Sequence, residues 1–222
     1  MSYPSFHNFI KLLRSLLKHR QTWLYEESIF LADLCLTYGT LADLSDRDKK
    51  TLFLAAHFKN LGALYLEDRC LQQEYSDHSL AIAQMDILFR ESTQLARAAG
   101  LNEVAEVLEQ YPQRAIPQNI LARIFQVLNT WVSCRQRKGW RSPMSDKEAL
   151  IILKQRAEME WSDPQIVFHF IEHLCRYSSR PERRLACTIN GFAVPPEVPE
   201  VRDYSFDTLE DQFQEQIIEA AG

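Results

Sequence analysis

His57 is the residue of this sequence best suited to chemistry, because an imidazole in an otherwise apolar run, Leu52 to Phe58, offers a lone pair to a metal or a site for proton transfer. With Glu27 it could begin a single-metal centre; the plainer alternative is a core histidine satisfied by hydrogen bonds. His169 and His173 stand four residues apart with Glu172 between them, a His-x-x-Glu-His order that puts two imidazoles on one helical face as some metalloproteases do. That chemistry needs a further carboxylate on a following helix, and the following segment is rich in Arg and Pro instead. Arg135, Arg137, Lys138 and Arg141 surround Trp140, a cluster able to grip a phosphate or stack a base, or simply a solvated loop. A second basic cluster, Arg176, Arg180, Arg183 and Arg184, could dock an acidic segment. A Gly-rich phosphate loop, a Gly-x-Ser-x-Gly elbow and a Cys–His nucleophile arrangement are all missing, so other common enzyme classes have little support.

The elements that must position these residues read as helices almost throughout. An amphipathic N-terminal helix over residues 5–20 lines up Phe9, Ile10, Leu12, Leu13, Leu16 and Leu17 against a polar face of Lys11, Arg14, Lys18 and Arg20. Its apolar face suits packing on its own domain or on a second copy of the chain, ahead of a membrane surface. Further helices are expected from Thr22 to Tyr38, ending at Gly39; after a Ser45 N-cap to Leu61; from Ser79 to Ala98; from Asn102 to Glu109; and from Gln118 to Arg135. Ser145 to Glu148 reads as a capping box opening a helix to Ala157, and Pro164 takes the first position of the last core helix.

The chain has 222 residues, 46% of them hydrophobic and 25% charged, enough for one well-buried domain with an appended segment. The division expected is a helical domain over residues 1–178 and a Pro-rich acidic tail over 179–222 ending in a helix. From Glu197 onward eight acids face Arg202 alone, a net of −7, which leaves +2 of the total −5 on the remainder. A near-neutral body with an acidic tail argues against nucleic-acid binding, which needs a broad basic surface. The five cysteines are widely spaced with no Cys-x-x-Cys pair, and no run nears the roughly 20 apolar residues of a membrane span. A soluble cytoplasmic protein with reduced thiols is the expectation.

Four short motifs carry a resemblance to a known family. They are Arg123 to Asn129 (Arg-Ile-Phe-Gln-Val-Leu-Asn), Lys138-Gly139-Trp140-Arg141, Met144 to Leu150, and Trp161 to Val167. In order and spacing they resemble the HD-GYP phosphodiesterases of bacterial cyclic-dinucleotide signalling, over Glu26 to about Leu174. The resemblance implies an all-α fold, an HD-domain-like bundle of about seven or eight helices, here with a Pro-rich C-terminal extension.

It also implies where metal ligands should stand. Glu27 takes the place of the first His. Ala55 to Gly62 resembles the His-Asp-Ile-Gly-Lys segment, so His57 is kept, Phe58 replaces the metal-bridging Asp, and the Lys falls on Leu61. Gln110-Tyr111-Pro112 matches the Gly-Tyr-Pro, with Glu103 among the residues replacing the preceding His-His-Glu, and Asn129 matches the Asp of the Val-Ala-Asp helix. Phe offers no lone pair, and an amide is a poorer ligand than a carboxylate for a hard dication.

The expectation is therefore a catalytically inactive regulatory domain with no catalytic residue and no metal or other cofactor, acting in cyclic di-GMP signalling through protein contacts. The partner surface would be Tyr111, Pro112, Gln113 and Arg114, because the family's Gly-Tyr-Pro region is associated with docking to diguanylate cyclase domains. One alternative is a receptor that holds cyclic di-GMP or another nucleotide uncleaved in the old cleft, using Glu27, His57, Glu103, Arg123, Asn129 and Arg141. Another is a weak phosphodiesterase with one metal at Glu27, His57 and Glu103.

Overall fold

A computed structural model describes residues 6–67, 70–71, 78–137 and 142–178; the expected tail, its terminal helix and Arg141 lie outside the described residues. The chain divides into two compact units, Met1–Val167 and Phe168–Gly222. Among the described residues eight α-helices follow in order: α1 Phe6–Arg20, α2 Thr22–Leu41, α3 Asp46–Phe58, α4 His78–Ala98, α5 Asn102–Gln110, α6 Ile120–Arg135, α7 Asp146–Glu158 and α8 Pro164–Ser178. A 3-10 turn, Leu61–Tyr65, follows α3. The described residues contain no strand, so the all-α expectation holds.

α2 is the central helix of the first unit. Leu24, Glu27, Ser28, Leu31, Cys35 and Tyr38 recur at steps of three and four and are all buried. α3 packs on it most extensively, and α1 and α6 add further contacts. α4 lies against α5 and the 3-10 turn, and α6 also carries α7. The core that results is aliphatic and aromatic: Leu17, Leu24, Leu31, Leu52, Leu88, Leu108, Phe125 and Leu128 are essentially inaccessible. Burial of this apolar surface is the main favourable term for such a bundle.

Local chemistry sets several helix ends. Ser45 accepts a hydrogen bond from the Asp48 amide at the start of α3, and Ser145 and Glu148 form the expected reciprocal capping box at α7. Asn119 caps α6, accepting from the Leu121 and Ala122 amides. Asp163 does the same for α8 through the Gln165 and Ile166 amides, so Pro164, with no N–H, costs nothing at the first position.

Two sequence expectations need correction. α2 does not stop at Gly39 but runs to Leu41, and Asp43 turns the chain at φ 51°. Gly39 is buried, and a Cβ there would lie 2.8 Å from Lys49 Cγ, so the glycine serves the α2–α3 approach rather than a helix end. In α1 the buried positions are Ile10, Leu13 and Leu17, while Leu12 and Leu16 are exposed. The face turned inward instead takes Arg14 and Arg20: Arg20 Nε donates to the Ala63 carbonyl at 2.8 Å, and its Nη2 to Leu66 O. A long guanidinium stem packs well while its head satisfies backbone carbonyls, which amphipathic periodicity alone does not register.

Candidate functional site

α2, the turn after α3, and α6 together place a polar cluster inside the bundle. α2 contributes Glu27 and Ser28, both 1% exposed; the turn contributes Lys59 and Asn60, at 4% and 3%. Half-buried Asn129 comes from α6. Lys59 Nζ lies 3.1 Å from Glu27 Oε2 and also donates to Asn129 Oδ1. Asn60 Nδ2 donates to the same Glu27 oxygen at 3.0 Å and lies 3.3 Å from both Leu24 O and Ser28 Oγ. One carboxylate oxygen therefore accepts from an ammonium and an amide in a water-poor interior, where charge-assisted bonds are strongest.

The turn that delivers Lys59 is fixed from behind. Ser92 Oγ on α4 donates to the Lys59 carbonyl and accepts from the Gly62 amide, both at 2.8 Å. Gly62 is required here: a Cβ would lie 2.1 Å from the Leu88 carbonyl oxygen, which belongs to the α4 backbone and cannot swing away. The neighbouring thiol and phenol respond to the enclosure. Burial pushes Cys35 far above the ordinary thiol range, with the Lys59 charge opposing it. Burial also pushes Tyr111 well up, and the Glu27 charge adds to the effect.

His57 is buried on α3 but is not brought into this cluster. Its Nδ1 stands 3.0 Å from the Phe53 carbonyl and its Nε2 accepts from Arg14 Nε at 3.1 Å. This pairing selects the neutral tautomer with the proton on Nδ1, and it leaves neither ring nitrogen a free lone pair. Burial, opposed by the Phe53 carbonyl and reinforced by the Arg14 charge, lowers the imidazole to about 4. Phe58 packs its ring 6.1 Å from that of Phe9, in an apolar contact.

The remaining expected residues are dispersed. Glu103, at the start of α5, pairs with Arg47 and stands 3.4 Å from Thr51 Oγ1, at the opposite end of α3 from Lys59. Eight residues of helix separate Thr51 from Lys59, roughly 12 Å of rise. Arg123 is a tie within the fold: it donates to Pro117 O at 2.6 Å and Gln118 O at 3.3 Å and pairs with Asp163 at 3.3 Å. Tyr111, expected on a docking surface, is only 3% exposed; its ring makes edge contacts with Phe89 and Phe125 at 5.5 and 5.0 Å, and its hydroxyl has no hydrogen-bond partner. Pro112 is half-buried, and only Gln113 and Arg114 of that set are exposed. Arg135 forms an ion pair with Asp146 at 2.6 Å. His169, Glu172 and His173 all lie on α8.

A family model described as an HD domain matches residues 11–166. The chain belongs to the HD domain family. No curated protein and no solved structure is significantly similar to it. HD domains suggest a metal-dependent hydrolase-like superfamily, and the donors among the described residues do not fit a metal. Among the described residues no three His, Cys, Asp or Glu side chains converge as a metal site would require. Glu27 and Asn129 do converge, but on the Lys59 ammonium, whose charge a dication beside it would oppose. Sequence reasoning missed Lys59 and Asn60. Their signal was two consecutive polar residues between the apolar end of α3 and Leu61, a place where burial demands partners.

Proposed function

We propose that this HD domain is a catalytically inactive, HD-GYP-like module that works by protein contact in bacterial cyclic di-GMP signalling. The observation that carries the reading is the Lys59 ammonium held between Glu27 and Asn129. These two positions correspond, by the resemblance, to the first His and to the Asp of the Val-Ala-Asp helix. An internal cation there supplies the positive charge that buried acceptors require and does so without generating a hydroxide nucleophile. Phe58, which the resemblance sets at the bridging Asp, packs against Phe9 and takes no polar part in this cluster, where Asn60 meets Glu27 instead.

The partner surface is narrower than the sequence motif. Gln113 and Arg114 are exposed beside half-buried Pro112, while Tyr111 supports the loop from beneath by its contacts with Phe89 and Phe125. By the resemblance, a diguanylate cyclase domain is the partner class.

Titration of cyclic di-GMP into the full chain by calorimetry with Mn²⁺ present, followed by chromatography of the nucleotide, tests the reading. The expected result is no product and no saturable heat at micromolar concentrations, together with capture of a diguanylate cyclase domain that Arg114→Glu abolishes. Product growing linearly with time and lost in Glu27→Ala would overturn inactivity; saturable heat with intact nucleotide would make the domain a receptor.

A further inference from the structure

Trp161 is gripped by two arginines from separate elements. Arg114, in the loop between α5 and α6, places its guanidinium carbon 5.3 Å from the indole centroid, and Arg156, in the last turn of α7, stands at 5.9 Å. Both lie within the range at which an aromatic ring attracts a cation. The indole is fixed by the way α7 ends. Glu160 adopts φ 55°, and the Trp161 amide returns to the Arg156 carbonyl at 2.8 Å, the six-to-one bond of a Schellman turn. The Ser162 amide bonds the same carbonyl at 3.1 Å, and fully buried Ser162 accepts from Arg156 Nε, also at 3.1 Å.

What this arrangement lacks among the described residues is negative charge. No described carboxylate pairs with either guanidinium: Asp163 pairs with Arg123, and Glu158 with Lys154. Arg156 is half-buried, and its pKa is lowered first by burial and then by the charge of Arg114. A partly desolvated cation facing a second cation without a counter-ion is unfavourable, and an anion entering from solvent relieves both effects at once.

We infer that Arg114, Arg156 and Trp161 form a binding site for a phosphoryl dianion, as inorganic phosphate or the terminal group of a phosphomonoester. Two forks from different elements, both against one indole and close enough for one charge to act on the other, offer more donors than the two oxygens of a carboxylate can accept, whereas the three or four oxygens of a phosphoryl group can take both. Its double charge matches the two guanidinium groups. Contact with the indole restrains both guanidinium groups, so less side-chain freedom is lost on binding. The site lies apart from the Lys59 cluster and does not depend on whether the domain is catalytic. It shares Arg114 with the proposed partner surface, but phosphate binding is read without any partner protein, so failure of one reading is distinguishable from failure of the other.

Inorganic phosphate titrated into the ¹⁵N-labelled full chain, with sodium chloride at matched ionic strength as control, tests the site through the Trp161 indole N–H resonance, assigned with Trp161→Phe. The expected result is a saturable shift at millimolar phosphate that chloride does not produce. Removing one charged fork weakens binding by about tenfold or more, so Arg114→Gln and Arg156→Gln should each do so, with Arg114→Lys intermediate because it keeps the charge and loses the fork. Arg114 is exposed, so its variants fold even if Arg156→Gln does not. A shift equal to that of chloride, or an unchanged phosphate affinity in Arg114→Gln, overturns the proposal.

Discussion

Replacing Lys59 by Met removes the ammonium while keeping most of the side-chain volume. The side chains of Lys59 and Glu27 are 4% and 2% exposed, so solvent cannot take over as partner for the carboxylate. Glu27 keeps the Asn60 amide at 3.0 Å, and Asn129 loses its donor from Lys59. Stranding one charge of a buried pair costs about 3–5 kcal/mol, and for a chain of this size each kcal/mol lowers the melting temperature by about 2–4 °C. The expected loss is therefore roughly 6–20 °C, read by far-UV circular dichroism on heating, with urea unfolding to give the free energy. Lys59→Met combined with Glu27→Gln removes both charges and keeps an acceptor for Asn60, so it should recover most of the loss, with a coupling energy of about 2 kcal/mol or more. A single variant that loses less than about 1 kcal/mol, or a double variant no more stable than the single, would refute the view that the ammonium neutralises this centre.

Three further outcomes follow from the geometry. His57 is lowered to about 4 from an ordinary value of 6.5, so between those values the unfolded chain binds more protons. Its contribution is complete above pH 6.5 and is lost as pH falls toward 4, about 3 kcal/mol in all, and His57→Gln should flatten that part of the stability profile measured by urea unfolding at each pH. Gly62→Ala drives a Cβ against the Leu88 carbonyl and should cost about 3 kcal/mol by the same unfolding assay, with Ser92 no longer able to hold the turn. Glu103→Ala breaks an exposed pair with Arg47 and a long hydrogen bond from Thr51, so its unfolding free energy should stay within about 1 kcal/mol of wild type; a larger loss would give Glu103 a role that its surroundings do not show.

Much of the scaffold was legible from local pattern. The Ser145–Glu148 box, the Ser45 cap and the Pro164 start depend on residues three or four apart, and the structure keeps them. Of the residues singled out by the resemblance, Glu27 and Asn129 meet at Lys59, while His57 is buried apart from them against Arg14. Tyr111 misled because the surface was taken from the resemblance to a docking Gly-Tyr-Pro region, which says nothing of burial, whereas Phe89 and Phe125, from other helices, enclose it.

The sequence by itself determined that the chain is helical and, by its resemblance to the HD-GYP phosphodiesterases, which residues stand where that family would place metal ligands, because side-chain chemistry is fixed by identity at each position. Only the tertiary structure decided what those residues do instead. Arg14 reaches His57 across 43 positions and Lys59 reaches Asn129 across 70, and such pairings are set by how helices cross, with no trace in local periodicity. Burial then makes each pairing obligatory, since a charge or imidazole removed from water must find its partner within the protein.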